Sequence, residues 1–263
     1  MAHPFKNVLL PNRPIDQAMV LLLTAFWLGL ALLIWVFSPF QSLPGPAETW
    51  AALGRLWWEE GMGRELGATL GLIFRALLIT VVSAMLLSYL TVIAAFRPLV
   101  EGIAKLRFLG LTGLIPLFTL LSGGGYNFKV ALLTFGMVTY FVTAMAQVVI
   151  ELPKESFEHM RVMGASEPRI IWEVVILGTF DKALEVLRQN VAIGWTMITM
   201  VEGYEHAGGG LGALILSENK HFKLPEVYAI LLVVLVVGLV LDYAMGLLSR
   251  MLCPYVLLER VKR

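Results

Sequence analysis

Glu202, Glu205 and His206 stand within five residues of one another and are of the types that ligate a metal ion. Their spacing fits no specific metal motif, so the expected reading is a solvated patch or a surface facing an external protein, with no metal. The other histidines, His3, His159 and His221, fall outside the apolar runs, and no Ser/His/Asp set can be assembled from them. Arg75 and Asp242 interrupt apolar sequence. Arg75 could bind an anion, although long side chains in such places commonly reach outward or pair with an acid; Asp242 reads as a helix-packing partner for a basic residue rather than a proton relay. Gly123-Gly124-Gly125 and Gly208-Gly209-Gly210 could cradle an anion with backbone amides, but ordinary turns are expected. No Gly-x-x-x-x-Gly-Lys-Ser/Thr loop occurs, so no nucleotide-hydrolysing site is expected in this chain. Cys253 is the sole cysteine, which excludes an intramolecular disulfide and reads as a lipid-facing or buried small hydrophobe.

The elements that carry these residues are set by composition. Of 263 residues, 58% are hydrophobic and 15% charged, well below the charged share of soluble domains. Uncharged runs approach the ~30 Å thickness of a bilayer core, and backbone polar groups in lipid must be satisfied within each segment, which selects helices. An all-α membrane protein is expected, with 1–263 as one domain and six spans near 17–38, 67–96, 106–122, 129–150, 182–201 and 226–249. The first run, Ala18 to Phe37, lacks a small-residue cleavage site and reads as an uncleaved helix. Span three, interrupted by Pro116 and ended by the first glycine triplet, is expected to be kinked or short. Span five contains Glu185 and Arg188 and so belongs inside a bundle rather than against lipid.

With the N-terminus inside, the inner segments hold 13 Lys and Arg and the outer ones 5, so both termini are expected in the cytoplasm. The net charge of +1 gives no basic face for nucleic acid. Outside, Trp50, Leu53, Leu56 and Trp57 recur at helical spacing after Pro44-Gly45-Pro46, suggesting an interfacial helix.

The longest polar stretch on the inner side is 151–181. Pro153 suits a first helical turn, Gly164 a left-handed stop, and Ser166 the N-cap of a second helix opened by Glu167 and Pro168. Two short helices meeting at a sharp bend would make a knob able to seat in a groove on a soluble protein.

Glu158 and Gly164, six residues apart, and the run Gly164-Ala165-Ser166 resemble the cytoplasmic loop of binding-protein-dependent ABC importer permeases. In that family the loop reads Glu-Ala-Ala, three residues, Gly, and ends near Leu-Pro; here His159 and Met160 replace the alanines and Gly178 stands in place of the proline. Leu43-Pro44-Gly-Pro and Gly209-Gly210-Leu211-Gly212-Ala213-Leu214-Ile215 are similar to segments of the nitrate, sulfonate, taurine and bicarbonate permease group.

The resemblance implies a type I importer permease with no catalytic residues and no cofactor of its own, ATP and Mg being bound by a partner ATPase. It implies docking of that ATPase at Glu158, His159, Met160, Gly164, Ala165 and Ser166. It also implies a second permease chain, taken as a copy of this one, an external solute-binding protein, a bilayer around the spans, and a small oxyanion or organic anion as solute. By residue type, Thr139, Thr143, Thr196 and Thr199, with Thr134, Gly136 and Gly194, either line the pathway or serve close helix packing. A secondary transporter would show an internal repeat or a midplane coupling site, and a membrane-embedded enzyme a convergent polar set; neither is visible.

Overall fold

The computed structural model describes residues 16–37, 43–206 and 208–254. The uncharged run near the N-terminus forms α1 (Gln17–Val36), apolar on every side and with no residue buried against the rest of the chain. A helix of that kind is stable only where lipid or another protein surrounds it. After it, Gly45 caps α2 (Pro46–Trp58), where the Glu48 carboxylate accepts from the Gly45 N–H at 3.2 Å. Thr49, Ala52 and Leu56 bury one face of α2, while Trp50 and Trp58 point away from the chain. The expected face is therefore split: Leu53 and Leu56 pack into the core, while the exposed indoles are left for the membrane interface.

Four helices build the bundle: α3 (Met62–Tyr89), α6 (Gly125–Ile150), α9 (Phe180–Tyr204) and α11 (Leu224–Leu252). Their packing is layered. Ala84, Val100, Phe141, Val149, Val175 and Ala183 fill one end. Leu72, Ala76, Leu133, Met137, Trp195 and Ile198 fill the middle. At the other end Leu56, Met62, Leu211 and Ile230 form one cluster, and Ile115, Phe128, Leu132 and Val201 a second. Because lipid is as apolar as these side chains, close fit holds the helices together. A Cβ on Gly194 would come within 2.8 Å of Met137 Sδ, and one on Gly136 within 3.0 Å of Met197 Sδ, so each helix receives a methionine from the other where it has no side chain. Similarly, Gly238 of α11 makes room for the Trp195 ring, whose Nε1–H donates to Val234 O at 2.9 Å.

Against the six spans expected, the described residues hold four helical stretches that are long and apolar enough to cross, or five if one bent helix pair counts as a single span. The four are Gln17–Val36, Met62–Val92, Gly125–Ile150 and Leu224–Leu252. Expected span three is broken: α4 (Arg97–Lys105) and its following turn meet α5 (Leu111–Ser122) at 111°. The break lies at Leu109–Gly110, not at Pro116, which sits inside α5. At 12 residues α5 is about 18 Å long, too short to cross alone. Expected span five, α9, has the length but not the apolarity. It contributes Ala183, Trp195 and Val201 to the clusters at one end, the middle and the other end, so one face runs the length of the bundle while Glu185, Gln189, Ala192, Thr196 and Met200 leave the other exposed. Lys6, Arg13, Arg260, Lys262 and Arg263, which entered the charge tally, lie outside the described residues.

Candidate functional site

The inner segment folds as the bend its residues require. α7 (Lys154–Val162) starts after Pro153 and ends at Gly164, whose φ is +79°. The Gly164 N–H donates to Arg161 O at 2.9 Å and the Ala165 N–H to Met160 O at 3.1 Å, the paired bonds of a Schellman stop. Ser166 then stands at the N-cap position of α8 (Glu167–Ile170), without a side-chain bond to its first turn, and α8 runs on as a π turn from Ile171 to Leu177. Arg161 locks the two arms by donating from Nε and Nη2 to Glu167 Oε1 and Oε2 at 2.8 and 3.1 Å. Beneath them Val175, with Phe157 and Ile171 against it, anchors the bend to the core.

Glu158, His159, Gly164 and Ser166 are exposed on this knob, while Met160 and Ala165 are partly covered. At its tip Val162 is 87% and Met163 63% exposed, two apolar side chains that sequence reasoning passed over. Gly178 has a local reason: its N–H donates to Glu173 O at 3.1 Å, closing the π turn, and a proline there has no N–H to give.

The four threonines taken as pathway candidates do not converge. Thr139 and Thr143 share one face of α6, and their hydroxyls donate to Gly136 O and Thr139 O at 2.9 and 2.7 Å. Thr139, with Tyr140, Thr112 and Met197, lines a cavity of about 260 Å³ at the α4–α5 break; Thr143 lines a second of about 340 Å³ beneath α4. Arg107 borders both, so the α6 face from Gly136 to Ile150 forms one wall of two adjoining spaces. Thr196 instead faces a separate, mainly apolar groove between α9 and α11, and Thr199 lines none of these three cavities.

At the opposite end lies a polar cluster that sequence reading missed. Glu202, expected to be solvated, is only 1% exposed, and its Oε2 accepts from Thr69 Oγ1 at 3.0 Å and the Gly212 N–H at 2.9 Å. Thr69 Oγ1 in turn accepts from the Leu211 N–H at 2.9 Å, and the Glu65 carboxylate accepts from the Gly210 N–H. Lys129, 2% exposed, donates to Gly209 O at 2.7 Å amid the carboxylates of Glu65, Glu202 and Glu205.

Gly208, Gly209 and Gly210 all have positive φ, and a Cβ on Gly209 would strike the Glu65 carboxylate. The second glycine triplet therefore does hold an anion, and the anion belongs to the chain itself. The cluster pins the start of α10 (Leu211–Lys220) onto α3 and α9. Among the described residues no three His, Cys, Asp or Glu form a metal-holding group.

Arg188 of α9 grips Asp242 of α11 with two bonds of 2.8 and 2.9 Å. Arg75 lies over the Tyr126 ring at 5.5 Å.

The family model for binding-protein-dependent transport system inner membrane components matches residues 86–252, well over half of the chain. That range takes in the knob, both cavities adjoining α6 and the whole of α9. The taurine transport system permease protein TauC of Escherichia coli (strain K12) is 23% identical over 141 residues. That match takes in 54% of this chain and 51% of TauC, so the chain spans about half the length of this curated relative. Two structures of inward-facing conformations of the MetNI methionine ABC transporter, in the CY5 selenomethionine-soak and native crystal forms, share the fold. Their TM-scores are 0.53 and 0.51 at 18% and 19% identity, covering 79% of this chain and 99% of theirs. The chain belongs to the binding-protein-dependent transport system inner membrane component family, the membrane-embedded permeases of ABC importers.

Proposed function

We propose that this chain forms the translocation pathway of an ATP-driven importer for a small organic anion or oxyanion, and that an ATPase subunit drives it through the knob at residues 154–177. The observation that carries this reading is the Gly164 bend. A rigid, doubly hydrogen-bonded corner presents Val162 and Met163 outward, while Val175 roots it in the core shared by α3, α6 and α9. A push on such a corner moves three helices together, which suits alternating access with ATP and Mg bound by the partner.

The charge distribution supports a cytoplasmic knob: Arg97, Lys105, Arg107, Lys154, Arg161, Arg169 and Lys182 gather at its end of the bundle. The outer end would then present α2, α10 and the Glu202 cluster to a solute-binding protein. A second copy of this chain is the natural partner across the pathway, with Thr139 and Thr143 on the lining face of α6. The likeness to TauC favours a sulfonate among the anions. The test is co-purification: an ABC ATPase expressed with this chain should copurify with the native protein, and uptake of taurine or another sulfonate into proteoliposomes should require ATP and the binding protein.

A further inference from the structure

Three cationic side chains at the knob end of the bundle have no acid to answer them. Arg97, Lys105 and Arg107 line one cavity of about 340 Å³ between α4 and the inner end of α6. Among the described residues none of the three has a carboxylate within ion-pair distance, although Glu101 lines the same space. Arg161, Arg169 and Arg188, at the same end, are each paired with an acid.

We infer that this cavity is a binding site for an organic oxyanion, a phosphate or sulfonate group. Arg97 is held by its Nε–H, which donates to Thr91 O at 3.0 Å, leaving its two terminal nitrogens for a ligand. The Arg107 guanidinium rests on the Phe108 ring at 4.9 Å, which fixes its plane while its N–H groups stay available. Thr143 and Gln147 supply the polar part of the α6 wall. Planar guanidinium groups match tetrahedral oxyanions two bonds at a time, and a lysine adds a point charge. The volume lies at the lower end for ligand pockets, enough for a headgroup or a small solute.

Two sources present this chemistry. An anionic lipid would place its phosphate here with its chains along Leu99 and Phe108, which are exposed on the same segment; basic pockets between helices on the cytoplasmic side hold such headgroups. A translocated sulfonate would arrive along the α6 face past Thr139, since Arg107 also borders that upper cavity. The inference rests on the reading that this end faces the cytoplasm.

The experiment uses the assembled transporter, copurified with its ATPase. Phosphatidylglycerol retained through detergent exchange is counted by native mass spectrometry, and radiolabelled methanesulfonate binding is measured by equilibrium dialysis in nanodiscs of phosphatidylcholine. The double variant R97Q/R107Q, and separately Lys105→Gln in case the double variant folds poorly, should lower binding of one probe roughly tenfold or more. Arg64→Gln, the same single charge change as Lys105→Gln but at the outer end, should lower neither. Loss of phosphatidylglycerol alone assigns the site to lipid, and loss of methanesulfonate, with or without lipid, assigns it to solute. Wild-type binding of both probes in folded R97Q/R107Q protein overturns the inference. Failure of the wild-type chain to bind the ATPase would instead count against the permease mechanism and leave the probe measurements readable.

Discussion

Arg161 and Glu167 face one another across the Gly164 bend, joined by two N–H···O bonds of 2.8 and 3.1 Å. The bonded guanidinium holds the Glu167 carboxyl below the usual carboxylate range. A lowered folded value means that the pair's contribution is complete above the unfolded carboxylate pKa and disappears as pH falls through the folded value. Both groups are exposed, so the effect on overall stability is small; the effect on the angle between α7 and α8 is not. Glu167→Gln should reduce transport-coupled ATPase activity at neutral pH, and the wild-type protein should approach the variant's activity only in acid. Steady-state ATPase rates in proteoliposomes from pH 7 downward read this directly.

Gly164 tests the backbone alone. No atom lies within 4 Å of where its Cβ would stand, so Gly164→Ala meets only the left-handed φ of +79°, a cost of about 1–2 kcal/mol. The bend should relax and uptake should fall severalfold, while the bundle itself keeps its thermal transition. Gly212→Ala makes the contrast: its Cβ would strike the Thr199 backbone, so loss of folded yield is expected.

Glu202 ties the α10 entrance to α3. Glu202→Ala leaves the amide of Gly212 and the hydroxyl of Thr69 without their acceptor and the buried Lys129 with fewer counter-charges. A destabilisation of about 2–3 kcal/mol follows from unpaired buried groups. Hydrogen exchange should quicken at Leu211 and Gly212 before it does anywhere in α6.

Arg188 and Asp242 bridge α9 and α11. Removing one partner strands a charge in a segment flanked by lipid, whereas removing both does not, so R188A and D242A should each lower the melting temperature more than the R188A/D242A double variant. Thermal unfolding of the three proteins in the same detergent decides it.

The apolar helices could be read from sequence because charge-free gaps mark them by length alone. The knob was equally plain, since the Gly164 stop is closed by bonds spanning at most five positions, and such bonds leave a local signature. Of the two readings of span three, the short one matches the 12 residues of α5; a kink at Pro116 does not form, because Pro116 is tolerated inside α5 while the chain turns earlier on extended backbone at Leu109. The Glu65–Thr69–Lys129–Glu202 cluster was not legible at all: the bonds that tie it to α3 and α6 join residues 80 to 145 positions apart, and Glu65, Lys129 and Glu202 each alone look like a charge near a helix end. The division of α9 into a Met197 face toward α6 and a Thr196 face toward α11 depends on which neighbours flank it, and no spacing within α9 encodes that.

The central claim is that the knob is the handle by which an ATPase moves this chain. The direct measurement replaces residues 154–170 with a Gly/Ser linker of equal length, leaving the helices on either side intact, and counts ATPase subunits copurified per permease. The account predicts that ATPase binding is lost while the permease still folds and inserts. An ATPase-to-permease ratio equal to that of the native chain would contradict it.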